Sequence, residues 1–338
     1  MIDPNVHFRD WEQSDKETVA HGLMMATVAG FTHVFDMPDC SPALTDYDTL
    51  LKRLELTNKP GYHIYAGLTA NPVQIEDVLF TCMHHYPRIA AVSLFTGPTI
   101  GNMGVTEKED QLKVFKTLAR FRYKGVVAVH CEKESLLKPE LYVPGKFETH
   151  SLAHPPESEY ESVNDILTVA LEAKFKGLVH IAHASCAQTV AYVREFRREG
   201  LRVSMGVTPQ HALLNTEDAR NHDRYLKMNP PLRDEANREA IFKSLLDGCA
   251  TWVESDHSPH TLQDKEDGAN GIPGFAGMLV LIEALRKAKC SEAHIEELFC
   301  YNAARAFGIE VTDRDLYIPE DSEETIEELR SEYPFHVW

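Results

Sequence analysis

A closed (β/α)8 barrel of the TIM type is the fold class this sequence predicts, on two observations. Eight short runs of apolar and β-branched residues recur along the 338 residues, and segments with a helical period lie between them. Strands alternating with helices imply a parallel sheet with right-handed crossovers, and eight such units is the count of a closed barrel. A doubly wound open sheet is the alternative, but no glycine-rich phosphate loop supports it. The hydrophobic fraction of 43% supplies a large core and excludes a disordered chain.

The opening strand lies in "IDPNVHFRD" (2–10). The other seven runs are "FTHVFDM" (31–37), "GYHIYAGL" (61–68), "IAAVSLF" (89–95), "GVVAVHC" (125–131), "GLVHIAH" (177–183), "GLRVSMGV" (200–207) and "CATWVES" (249–255). Helical spacing marks 16–29, 45–57, 107–120, 159–174 and 234–247, among others. Gly30, Gly177 and Gly200 read as helix stops directly before a strand. Residues 1–310 form the expected barrel. Residues 311–338, ending "DSEETIEELRSEYPFHVW", change in composition to acidic and then aromatic, and read as a C-terminal tail.

A net charge of −18 argues against nonspecific grip on nucleic acid, which needs basic patches. Seven scattered cysteines without CxxC pairing read as a reduced, cytoplasmic protein. No run approaches the length of a membrane span, and no secretory leader precedes the first motif.

In a barrel, chemistry sits at the C-terminal ends of the strands. Polar residues gather there: His7 and Arg9, Asp36 and Asp39, His130 and Glu132, His183, then Thr208, Gln210 and His211, and finally Asp256, His257 and His260. A lone histidine near a strand is more often a packed structural residue. Repetition at several strand ends points to a site.

These segments resemble the dihydroorotases of the amidohydrolase superfamily. "DPNVHFRD" and "ESDHSPHTLQDK" (254–265) look like the two signature segments, with Ser258 where Ala is usual. "FDMPDCSPALT", "AVSLFTGPTIGNM", "VHCEK", "HIAHASC", "VTPQHALL", "KMNPPLRD", "GIPGFAG" and "NAARAFG" follow in the family's order, so the likeness runs from residue 2 to about 308. The resemblance implies reversible cyclisation of N-carbamoyl-L-aspartate to L-dihydroorotate, a step of pyrimidine biosynthesis, with a metal-activated water. It implies His7, His130, His183 and Asp256 as ligands of Zn2+, with Asp256 also moving the proton. It implies Arg9, residue 39, Asn229 and His260 as binders of the substrate. It also implies a homodimer and, as a further partner, aspartate transcarbamoylase.

The departures from the family are specific. Asn5-x-His7 stands in place of His-x-His, and Ser93 in place of the carboxylated lysine that bridges two metals. Lys133 replaces an Asp, Gln210 the first of two histidines, Gly206 a Glu, and Asp39 an Asn that donates to the substrate carboxylate. One ion is therefore expected rather than two. Two further readings stand beside the enzyme: a catalytically silent barrel acting as a partner or scaffold, and a cyclic amidase for a different ring. The family's flanking β-sandwich, built from both chain ends, finds no room in this sequence.

Overall fold

The computed structural model describes residues 1–319 and 322–338. Eight parallel strands lie in one sheet in chain order, β1 (Ile2–Val6), β2 (His33–Asp36), β3 (Tyr62–Gly67), β4 (Ile89–Phe95), β5 (Val126–His130), β6 (Leu178–Ile181), β7 (Val203–Val207) and β8 (Trp252–Val253). The sheet closes on itself just past β8. Asp256 N–H donates to Asn5 O at 3.1 Å and His7 N–H to His257 O at 2.8 Å. The expected barrel is the observed one.

Each strand feeds a helix on the outside: α1 (Val19–Val28), α2 (Tyr47–Glu55), α3 (Pro72–His85), α4 (Lys108–Arg120), α5 (Pro156–Glu172), α6 (Ala187–Arg198), α7 (Glu235–Leu246) and α8 (Phe275–Lys287). Several starts follow local chemistry. Thr18, Asp46, Asn71 and Asp234 each cap a helix by accepting a backbone N–H two or three residues on. Gly30 and Gly200 stop helices at φ of 88° and 87°, as expected. Gly177 does not. The helix before it ends at Glu172, and Lys174 takes the left-handed turn at φ 54°.

Two apolar layers result from strand alternation. Val34, Ile64, Val92, Val127, Val179, Met205 and Val253 face the helices, while Ile2, Phe35, Tyr65, Ala91, Val126 and Trp252 belong to a second cluster with Phe307 and Cys300. Phe307 stacks on Phe35 at 4.1 Å between ring centres, so the segment 297–307 closes the barrel floor. The mouth, at the other end, is left to polar side chains.

The tail folds back. Helix α9 (Ser322–Ser331) lies against α8 and α1, and Tyr333, Phe335 and Val337 are buried beyond it. The Tyr333 hydroxyl donates to Glu17 Oε1 at 2.9 Å, and His257 Nε2 meets the other Glu17 oxygen at 3.1 Å. All seven cysteines are free. No described helix is long and apolar enough to cross a membrane.

Candidate active site

A cavity of about 360 Å3 opens at the strand ends. It is lined by His7, Arg9, Asp39, His130, His183, Asn229, Asp256 and His260, which are all of the sequence-predicted site residues. Two of them sit on strained backbone: His183 at φ 37° and Asp256 at φ 52°. Left-handed backbone is costly for residues other than glycine and recurs where function fixes a side chain's direction.

On the β1, β2 and β8 side, His7 is clamped between two carboxylates. Its Nδ1 lies 2.9 Å from Asp39 and its Nε2 2.9 Å from Asp256. Burial works against a charged ring there, yet Asp39 and Asp256 overcome it and raise the His7 pKa to about 10. Asp39 thus faces His7, which resolves how a carboxylate is tolerated where an amide donor was expected. Its charge is neutralised within the wall and offers no donor to a substrate.

Arg9 lies beside this clamp, 4% exposed, with a hydrogen bond from Nη2 to Ser258 Oγ. Its Nε has no protein partner. His260 sits 3.2 Å from the same guanidinium nitrogen and places its Nε2 2.8 Å from Asn270 O. Burial, with Arg9 and Lys265 nearby, lowers the His260 pKa to about 3 and keeps the ring neutral. Lys265 is fully buried and donates to the carbonyls of Lys227, Ala269 and Gly271, which braces the 269–271 wall of the cavity. Asn229 is held by His150, whose Nε2 is 2.7 Å from Asn229 Oδ1.

On the other side, His130 Nδ1 and His183 Nε2 are 3.0 Å apart. Burial, reinforced by His130, His211 and His7, pushes the His183 pKa well below 6.5. That ring is neutral and keeps a lone pair.

Other strand-end groups are taken up elsewhere. Asp36 pairs with the buried Arg53 at 2.7 Å and accepts from Tyr62 at 2.6 Å. Glu132 turns to His154 at 2.6 Å, His211 spends both nitrogens on Thr208 and Pro230, and Lys133 pairs with Asp165. Both amide atoms of Asn5 and the hydroxyl of Ser93 have no partner.

Three imidazoles and a carboxylate are a sound donor set for one zinc ion. Donors on a tetrahedral zinc stand roughly 3.3 Å apart given its bond lengths, close to the 2.9 Å and 3.0 Å spacing of the two pairs. The chemistry of the donor set suits such an ion, while 2.9–3.0 Å is equally the ordinary length of the hydrogen bond that joins each pair. Among the described residues, however, no group of three or more His, Cys, Asp or Glu side chains gathers around one point. The four expected ligands share the mouth as two hydrogen-bonded pairs.

Sequence reasoning missed Gln13 and Lys16, on the loop after β1, and Asn270, all of which line the cavity. It also missed Glu254, a carboxylate buried at the end of an otherwise apolar strand run, which was itself a signal.

Barrel and mouth together define an amidohydrolase-type protein. Among solved structures, the chain is similar to the L-hydantoinase (dihydropyrimidinase) of Arthrobacter aurescens, with a TM-score of 0.82, 21% identity, and coverage of 95% of this chain and 73% of that one. It is also similar to the dihydropyrimidinase of Brevibacillus agri, with a TM-score of 0.76, 21% identity and the same coverage. At that identity the likeness is one of fold. No protein-family model matches the chain. Sequence relatives go further. A dihydroorotase of Thermococcus kodakarensis is 31% identical over 323 residues, 94% of this chain and 70% of the relative. One from a Geobacillus species is 32% identical over 282 residues, 82% of this chain and 64% of that protein. The chain belongs to the dihydroorotase family.

Proposed function

We propose that this protein is a dihydroorotase-like cyclic amidohydrolase that interconverts N-carbamoyl-L-aspartate and L-dihydroorotate. The observation that carries the reading is Arg9. A buried guanidinium with an unpartnered Nε opens on the cavity that also holds Asp256. A buried unpaired donor is costly, and a ring bearing a carboxylate would satisfy it through a charge-assisted hydrogen bond.

In ring opening, Asp256 takes a proton from the attacking water and delivers it to the departing amide nitrogen. His7, 2.9 Å away, fixes the orientation of that carboxylate. Ser258 steadies Arg9, and Asn229, oriented by His150, lines the cavity wall. The ion that suits His7, His130, His183 and Asp256 is one Zn2+, which when bound would bring the pKa of a water to about 7. Its binding would displace the protons now shared within the two pairs.

The test joins elemental analysis to steady-state kinetics. Near-stoichiometric zinc, with turnover of dihydroorotate well above that of hydantoin or dihydrouracil, is the expected result. Faster turnover of a ring without the carboxylate moves the substrate to the cyclic amidase reading. No zinc after reconstitution and no turnover leaves the silent, partner-binding barrel, which the pairing of the four side chains would then favour. The homodimer, the aspartate transcarbamoylase partner and the cytoplasmic setting rest on resemblance and composition and belong to this same proposal. Light scattering, alone and with a transcarbamoylase, checks the first two.

A further inference from the structure

At the end of β6 the hydrogen-bond ladder skips a residue. Ala182 N–H donates to Val129 O at 3.1 Å and Ala184 N–H to Gly206 O at 3.0 Å. The N–H of His183, between them, donates instead to Glu254 Oε1 at 2.6 Å. This is where the backbone enters the left-handed region. The other Glu254 oxygen accepts from Trp252 Nε1 and from His180 Nε2, each at 3.0 Å, and His180 Nδ1 meets Ser204 Oγ at 3.0 Å. Glu254 is wholly buried and lies outside the cavity lining.

A buried carboxylate is expensive unless paired and hydrogen-bonded. Here three N–H groups satisfy it, and one of them belongs to the strained residue that presents His183 to the mouth. The carboxylate also occupies the space above Gly206. A Cβ built on Gly206 would overlap the Glu254 carboxylate. β7 and β8 are paired with Gly206 opposite Trp252, so a carboxylate rooted on either strand reaches the same spot.

We propose that Glu254 is the positioning residue for His183: it fixes the strand-six kink and so the direction of the imidazole, and it does from β8 what a Glu at position 206 would do from β7. The inference rests on the reading of the mouth as a hydrolase site. It gives Gly206 and Glu254 a joint explanation: the glycine is required because the carboxylate comes from next door.

The experiment is an exchange. Wild type, Glu254→Ala, Gly206→Glu, Gly206→Glu/Glu254→Ala and the control Gly206→Ala/Glu254→Ala are compared by crystal structure and by kcat and KM for dihydroorotate. In Glu254→Ala, residue 183 should leave the left-handed region and kcat should fall about 10–100-fold, the usual loss when a supporting partner of a site residue is removed, with KM changed by less than about twofold. Gly206→Glu alone should be at least as damaging, because two carboxylates then compete for one space. The exchange should recover kcat to within about fivefold of wild type, as expected of two directly coupled sites, with a carboxylate again on the His183 N–H. The control should not recover it.

An Ala variant that keeps both the kink and kcat overturns the proposal, as does a control that recovers as well as the exchange. If the Ala variants do not fold, Glu254→Gln decides. Its one acceptor oxygen can face either the His183 N–H or the Trp252 and His180 N–H groups, so the kink should persist where the oxygen faces His183 and be lost where the NH2 does. A kink kept with the NH2 turned to the His183 N–H, or lost with the oxygen there, overturns the proposal. A wild type without turnover would sink the hydrolase reading alone, since the crystal comparison still answers what holds His183.

Discussion

On the β1, β2 and β8 side of the mouth, His7 sits between Asp39 and Asp256 with its pKa raised to about 10. On the β5 and β6 side, His183 is the more deeply buried of the two and its pKa falls well below 6.5. Burial opposes a charged ring in both. What differs is the company: two carboxylates in one case, other imidazoles in the other. One half of the mouth therefore holds fixed charge, and the other holds the neutral His183 ring with its lone pair. Proton transfer and anion binding draw on the first half, while electron pairs for an ion would come from both, His7 and Asp256 on one side and His130 and His183 on the other.

The harshest way to break that division is Asp256→Asn. It removes the proton carrier and one of the two clamps on His7 while leaving the other half untouched. Turnover of dihydroorotate should fall by on the order of 10^3-fold, within the range of lost general acid–base catalysis, while KM stays nearly constant. Assay of ring opening checks it. A variant with more than a tenth of wild-type turnover would move the proton-transfer role to another group.

A second variant tests the charge beneath the first half. Asp3 is fully buried, takes N–H groups from Ser255 and Asn5, and has one oxygen without a partner. Burial raises its pKa from 3.8 to about 7. Because the folded state then binds the proton more tightly than the unfolded state, the stability it supplies is complete below about pH 4 and is lost as pH rises to about 7. That rise corresponds to on the order of 4 kcal/mol. Asp3→Asn keeps the acceptor and removes the titration. In urea denaturation it should match wild type near pH 4 and exceed it by a few kcal/mol at pH 8, less whatever the new unpaired amide costs. Equal stability at pH 8 would show that the carboxylate is better solvated than its burial implies.

Arg9 sharpens the comparison through substrate choice. Arg9→Met keeps the apolar stem and removes the guanidinium. KM for dihydroorotate should rise about 100-fold, the equivalent of one or two charge-assisted hydrogen bonds. For a ring lacking the carboxylate, kinetics should hardly change. An equal loss for both rings would make Arg9 a packing residue.

The contrast between the two halves also marks what the sequence could disclose. Strands buried on both faces write themselves as β-branched runs, so the barrel was legible, and β4 was placed at its observed ends. β8 was expected over 249–255 and is a regular strand only over Trp252–Val253, although the Thr251 and Glu254 N–H groups on either side still donate to Met205 O and Val207 O of β7. The gathering of His7, Arg9, His130, His183, Asp256 and His260 at one mouth followed from strand-end position alone. Their pairing did not. Whether Asp39 would turn to Arg9 or to His7 depends on distances across β1 and β2, which spacing along a chain does not encode. For the same reason the carboxylate over Gly206 was invisible, as it comes from a neighbouring strand.

The mildest perturbation lies where the tail meets the charged half. Glu17 is fully buried and is shared by His21 at 3.0 Å, His257 at 3.1 Å and the Tyr333 hydroxyl at 2.9 Å. Burial alone would raise its pKa, but His257 and these hydrogen bonds lower it. His257 adjoins Asp256, so this knot ties the tail to the strand-eight loop. Tyr333→Phe removes one hydrogen bond to a carboxylate that keeps two others. It should cost about 1–2 kcal/mol, a drop of a few degrees in Tm for a chain of this size. Turnover at 25 °C should stay within about twofold, because the remaining bonds to Glu17 still hold the loop. A fall in kcat without a fall in Tm would instead make the tail part of the site, and the charged half of the mouth would then extend to the last residues of the chain.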